Sequence, residues 1–163
     1  MTQASPSETT QGYAPPSVTQ FSVFLDNKVG KLHELLTSFD DNPVCQICAF
    51  SVNETSDYAV VRLIANNSRE AQAILRDHRL PFSETQILVV EVTEELGLSR
   101  LCLYLLAAEI NIEFAYPVML KPNGAPTVAL AIDDFTLAGQ ILRRKGFRLL
   151  GECDLPTPHH DAG

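Results

Sequence analysis

The residues best placed to do chemistry form one short run, Asp26-Asn27-Lys28-Val29-Gly30-Lys31-Leu32, where a strand-like stretch gives way to a helical one. The start of a helix offers backbone N–H groups without partners and a partial positive charge, which together suit a carboxylate. Gly30 lets a ligand approach the backbone with no Cβ in the way. Asp26, or a carbonyl at the strand end, can meet an ammonium group, and Asn27 can donate or accept. The chemistry this set supports is the holding of a zwitterion. The same residues also suit a plain strand-to-helix turn in which Gly30 supplies the bend and Asp26-Asn27 the cap.

Other chemically capable residues are less well arranged. Cys45-Gln46-Ile47-Cys48 has redox or half-zinc-site spacing. It stands at the entry to a strand, where residues i and i+3 point to opposite faces, and no second such pair exists. Buried, apolar use of these thiols is expected. His33, with Glu34, is placed on an exposed helical position beside the glycine loop, and His159-His160 sits in a Pro-flanked tail. Arg143-Arg144-Lys145 followed by Gly146 reads as a helix C-terminus, where cations meet the dipole. No Ser–His–Asp arrangement, P-loop or dinucleotide fingerprint is visible. The expectation is a protein with no catalytic residue, no metal site and no cofactor.

Composition narrows the classes further. The chain has 163 residues, 45% hydrophobic, enough for a packed core. Twelve Lys and Arg against 20 Asp and Glu give a net charge of −8, which repels phosphate backbones and anionic membranes. The run expected of an RNA-binding sheet, Lys or Arg, Gly, then aromatics, is missing. No apolar stretch approaches the ~18 residues of a membrane span, and the polar start has no signal-peptide pattern. Four cysteines in such a chain are expected to be reduced thiols, and the two sequons at Asn53 and Asn66 to be chance. A cytoplasmic location follows, with neither nucleic acid nor membrane as partner.

The elements that must position the glycine loop occur twice. Val23 and Leu25 correspond to Val90 and Val92 and Gly30 to Gly97, 67 residues on; Leu35, Leu36 and Phe39 correspond to Leu101, Cys102 and Leu105 at 66. Ile74-Leu75 then matches Ile141-Leu142 at 67 again. The first copy reads as strand 18–25, a helix carrying Leu32, Leu35, Leu36 and Phe39 on one face, strands 46–52 and 58–65, a helix from an N-cap at Ser68, and strand 82–86. The second reads as strand 88–92, helix 98–108, strands 112–120 and 126–132 around the turn Lys121-Pro122-Asn123-Gly124, helix 134–145 and strand 148–154. Both are βαββαβ. The fold class is α+β, with two ferredoxin-like modules, antiparallel sheets and helices on one face. Residues 17–86 and 87–155 form the modules, and 1–16 and 156–163 are disordered tails. Helix 98–108 has a core face, Leu98, Leu101, Cys102 and Leu105, and a second apolar face, Leu103, Tyr104 and Leu106. A homodimer is the expected use of the second face.

The loop Asp26–Leu32 resembles the glycine loop of ACT domains, with Val29 where that family usually has Pro. Val44-Cys45-Gln46-Ile47, Thr55-Ser56-Asp57-Tyr58, Val61-Arg62-Leu63-Ile64, the junction Ser83-Glu84-Thr85-Gln86 before Val89-Val90-Glu91-Val92, and Glu109-Ile110-Asn111-Ile112-Glu113 resemble tandem ACT proteins over residues 18–155. The resemblance implies an amino-acid-binding, non-enzymatic sensor with Asp26, Asn27, Lys28, Val29, Gly30, Lys31 and Leu32 at the ligand. It also allows a regulatory subunit with an enzyme partner, such as the acetolactate synthase small subunit, or a structural dimerisation module with a vestigial pocket. The second loop, Thr93-Glu94-Glu95-Leu96-Gly97-Leu98, is one residue shorter and acidic, so it is not expected to bind.

Overall fold

The computed structural model describes residues 8–9, 12–13, 15–26 and 29–156. A two-residue antiparallel ladder pairs β1 (Glu8–Thr9) with β2 (Gly12–Tyr13), within the stretch expected to be a tail. The elements of the first module are β3 (Val18–Asp26), α1 (Lys31–Asp40), β4 (Ile47–Glu54), β5 (Tyr58–Ala65) and α2 (Ser68–Asp77), leading into β6 (Phe82–Glu91). The second module continues from β6 through α3 (Leu98–Ala107), β7 (Ile112–Pro117), β8 (Thr127–Ile132), α4 (Phe135–Arg144) and β9 (Leu149–Leu150). A short 3-10 turn follows at Glu152–Asp154.

Strand order explains why both copies keep βαββαβ. In the first module the order is β4, β5, β3, with β6 beside β3; in the second it is β7, β8, β6, with β9 on the far side of β6. Pairing is antiparallel between β3 and β5, β4 and β5, β6 and β8, β6 and β9, and β7 and β8. In each case the first and third strands of the module lie side by side and its helices cover one face. Period-2 alternation puts Phe21, Val23 and Leu25 of β3 with Val61 and Leu63 of β5 on that face. Leu35, Phe39, Ala71, Ile74 and Leu75 of α1 and α2 close the core over them. The corresponding core of the second module is Leu88, Val90 and Leu130 under Leu101, Leu105, Ala138 and Leu142.

Several readings from the sequence are corrected in detail. Strands 82–86 and 88–92 are one strand, because no Gly, Pro or turn residue interrupts Phe82–Glu91. The last strand is only two residues long, and the N-cap of α2 is Asn67, whose side chain accepts from the Glu70 N–H. In α3, Leu101 and Leu105 are buried, but Leu98 and Cys102 are exposed rather than part of the core. Leu103 and Leu106 are exposed too, while Tyr104 turns toward the core, edge-on to Phe147 at 6.2 Å and under the Lys145 ammonium at 5.1 Å. Arg143 and Arg144 occupy the last turn of α4, and Gly146 follows with φ 93°, as the cation-rich C-terminus requires.

Two compact units divide the chain. Among the described residues, one takes Thr19–Thr85 together with 152–156, and the other takes Gln86–Gly151 with the segment 15–18. Each unit is thus completed by a segment from the far end of the chain. In the first, the Glu152 carboxylate accepts from the Ser68 N–H at 2.8 Å, at the start of α2. In the second, Pro15 lies against α4 so closely that a Cβ on Gly139 would stand 2.6 Å from the Pro15 Cγ. A glycine inside a helix, which costs about 1 kcal/mol against alanine, is explained there by close packing. Among the described residues, no helix is long and apolar enough to cross a membrane.

Candidate functional site

The strand-to-helix loop of the first module is where sequence and geometry meet. β3 delivers Leu25 and Asp26 to the edge of the helix-covered face, and the backbone then turns into α1 at Gly30. Gly30 has φ 92° and ψ −13°, the left-handed region that glycine enters without steric cost. Its carbonyl accepts from the Glu34 N–H at 2.9 Å, so it is the N-cap of α1 and, being glycine, contributes no side-chain cap of its own. Among the described residues, nothing lies within 4 Å of where a Cβ on Gly30 would be.

Beside that helix start is a cleft of about 160 Å³. Leu25, Asp26, Lys31 and Leu32 line it from the loop side, and Val52, Glu54, Ala59 and Val61 line it from the sheet. Register accounts for the second group: Leu25 pairs with Ala59 and Ala59 with Glu54, while Val23 pairs with Val61 and Val61 with Val52. Two rows of cross-strand neighbours thus form the floor, and the hairpin is held by Thr55, whose N–H and hydroxyl both donate to the Tyr58 carbonyl, at 2.9 and 2.7 Å. The walls are aliphatic and the rim carries two carboxylates, Asp26 and Glu54, and one ammonium, Lys31. Lys31 also lies 3.5 Å from Glu34, an exposed pair of little energetic weight.

Of the residues expected at the site, Asp26, Lys31 and Leu32 line the cleft, and Gly30 stands at the helix start. Val29 is fully exposed, and Asn27 and Lys28 lie outside the described residues. Val52, Glu54, Ala59 and Val61 were not among the expected residues. Their signal was the two-residue period of 47–54 and 58–65 about the Thr55-Ser56-Asp57 turn, which places them beside β3.

The second loop has different geometry. Gly97 has φ −89° and ψ −176°, extended backbone open to any residue. Thr93 and Leu96 tie the loop closed, the Thr93 N–H donating to the Leu96 carbonyl and the Leu96 N–H to Thr93 Oγ1, both at 3.0 Å. A Cβ on Gly97 would meet the Thr93 carbonyl at 3.4 Å. The one-residue shortening thus abolishes the left-handed turn.

Cys45 and Cys48 are both buried. Cys45 belongs to the core cluster of the first module, and a bulge between Ile47 and Ala49 falls at Cys48. Burial pushes the Cys45 thiol up to about 11 and the Cys48 thiol up to about 12, so both are protonated at neutral pH. Cys45 Sγ donates to the Asn67 carbonyl at 3.5 Å. His33 is exposed, and His159-His160 lie outside the described residues.

Comparison with known proteins places this geometry. Residues 16–153 match the family model described as an ACT domain pair. Among solved structures, protein BT0572 from Bacteroides thetaiotaomicron superposes with a TM-score of 0.75 at 22% identity, covering 86% of this chain and 96% of that one. The regulatory subunit of aspartate kinase from Thermus thermophilus, in ligand-free form, shares the fold with a TM-score of 0.53 at 8% identity, covering 81% and 94%. No curated protein matches the sequence significantly. The family match spans both modules and both helix-bearing sheets, and the chain belongs to the ACT domain pair family.

Proposed function

We propose that this protein is a non-enzymatic regulator that binds a free amino acid at the first-module loop and passes the occupancy of that site to another protein. The observation that carries the reading is the contrast between two loops of one fold. The loop at Gly30 is left-handed and stands beside a cleft, whereas the loop at Gly97 is extended and closed on itself. In the first, the amide groups at the start of α1 receive the carboxylate. Asp26 and Glu54 face the ammonium, and the aliphatic floor takes the side chain. One site per chain follows.

A thermal-shift screen of the twenty amino acids, followed by calorimetry on the hits, tests the reading. Stabilisation by at least one amino acid with one site per chain is the expected result. No response to any of them, or two equal sites, refutes it. A second reading, a regulatory subunit of a biosynthetic enzyme, is favoured by the fold shared with the Thermus aspartate kinase regulatory subunit. Retention of a large catalytic subunit on the immobilised protein would select it.

A further inference from the structure

The first-module cleft carries one more charge than a neutral amino acid uses. Its charged lining is Asp26, Lys31 and Glu54, which sum to −1. Among the described residues neither Asp26 nor Glu54 has a side-chain hydrogen-bond or ion-pair partner, and Lys31 has the exposed Glu34 at 3.5 Å. Register separates the two carboxylates. Asp26 ends β3 opposite Tyr58, and Glu54 ends β4 opposite Ala59, with β5 between them. Two strand spacings hold their backbones roughly 9–10 Å apart, on either side of the apolar floor at Ala59 and Val61. Asp26 and Lys31 thus belong to the end of the cleft beside the start of α1, and Glu54 stands across the floor from them.

We propose that the occupant is an amino acid with a cationic side chain, a diamino monocarboxylic acid of the lysine or ornithine type. Its α-carboxylate meets Lys31 and the first amides of α1, its α-ammonium meets Asp26, and its side-chain ammonium meets Glu54. The inference rests on the reading of this loop as an amino-acid site and names the class of amino acid it takes. A methylene stem lies over aliphatic surface while its ammonium reaches a carboxylate at the edge, as lysine stems do on protein surfaces. Charge then decides between classes. A ligand of net charge +1 brings the lined cleft to neutrality. A zwitterion with an uncharged side chain leaves Glu54 unmatched, and a dicarboxylic amino acid sets a second carboxylate against it. Volume agrees, since about 160 Å³ equals the bulk volume of roughly five waters and suits one unbranched side chain. Glu54 is exposed, so the preference is moderate: an exposed ion pair changes affinity by up to about fivefold.

The test is calorimetry on the full chain at low and high salt with L-lysine, L-norleucine and L-glutamate. Norleucine has the carbon chain of lysine without the terminal ammonium. The expected result is lysine tighter than norleucine by about threefold to fivefold, glutamate weakest, and a lysine preference that shrinks as salt screens the pair. Glu54→Gln should remove the preference by weakening lysine alone, and Glu54→Lys should invert the order of lysine and glutamate. Asp26→Asn should weaken lysine and norleucine alike, because both present the same α-ammonium. The substitutions fall on exposed strand ends, and circular dichroism verifies that the variants are folded. Norleucine bound as tightly as lysine, or a lysine preference indifferent to Glu54→Gln, would overturn the inference and leave the amino-acid site standing. Binding of none of the twenty amino acids would overturn the reading of the site, and this inference with it.

Discussion

At the residue scale, two glycines in equivalent places have unequal tasks. Gly30 adopts a left-handed backbone that costs an L-residue roughly 1–2 kcal/mol, and a branched side chain there would also stand at the start of α1. Gly30→Val should abolish amino-acid binding, while Gly97→Val, at an extended position, should leave the affinity of the folded protein near wild type; calorimetry on the two variants reads the difference directly. The buried thiols make a second prediction. Cys45 and Cys48 hold their protons up to about 11 and about 12, whereas the same thiols in the unfolded chain ionise from the ordinary 9.0. Between those values the unfolded state binds fewer protons, so these groups lower stability as pH rises above about 9. Urea unfolding from pH 8 to 10.5 should show a steeper loss for wild type than for Cys45→Ala/Cys48→Ala, and an equal slope would refute it. The glycine loop was legible in the sequence because residue type there dictates backbone conformation. The burial of both thiols was legible from residue type, since free Cys is usually core material, whereas the bulge between Ile47 and Ala49 has no residue signature.

At the element scale, what holds α2 comes from outside the helix. Asn67 caps it through the Glu70 N–H, and the Glu152 carboxylate meets the Ser68 N–H. Asn67→Ala should cost about 1 kcal/mol. Glu152→Gln keeps a hydrogen-bonding oxygen but removes the charge facing the helix dipole, and should cost less, about 0.3–1 kcal/mol. Because both act on one helix end, the double variant should fall short of the sum, measurable by chemical denaturation. Among the described residues, the four helices and five of the long strands were readable from period, β6 was read as two strands, and the paired offsets near 67 identified the repeat. The Glu152 contact was not readable, since its partner is 84 residues away. In α3 the spacing of Leu98, Leu101, Cys102 and Leu105 reads as one core face. Of the four, Leu101 and Leu105 are buried, and Leu98 and Cys102, on one side of that arc, are left in solvent. Periodicity identifies an apolar arc; it does not say how much of the arc the module covers.

At the scale of the whole molecule, each compact unit borrows a terminal segment, which has consequences for stability that neither module's own pattern foretells. Gly139→Ala would ordinarily gain about 1 kcal/mol of helix propensity. Here the added Cβ meets the Pro15 ring, so the variant should be destabilised, and Pro15→Gly in the same chain should restore the gain; thermal melts of the single and double variants check the compensation. The C-terminal segment makes the stronger case. The described residues 152–156 cluster with the first module although the second module precedes them in the chain. Glu152 caps α2, and Leu155, 4% exposed, is buried. Ending the chain after Gly151 removes that carboxylate and the buried leucine together, a loss of about 2–4 kcal/mol from burial and dipole contributions. The loss should fall on the first module, whose α2 sits nearest the missing cap, while the second keeps every strand from β6 to β9. Hydrogen exchange is the decisive measurement. Amide protection in α2, from Ser68 onward, should drop in the shortened chain by about one and a half to three orders of magnitude, the factor those energies imply, with α3 and α4 little changed. Equal loss in both modules would show that they unfold as one unit, and no loss in α2 would show that the segment's contacts contribute nothing to holding the first module together.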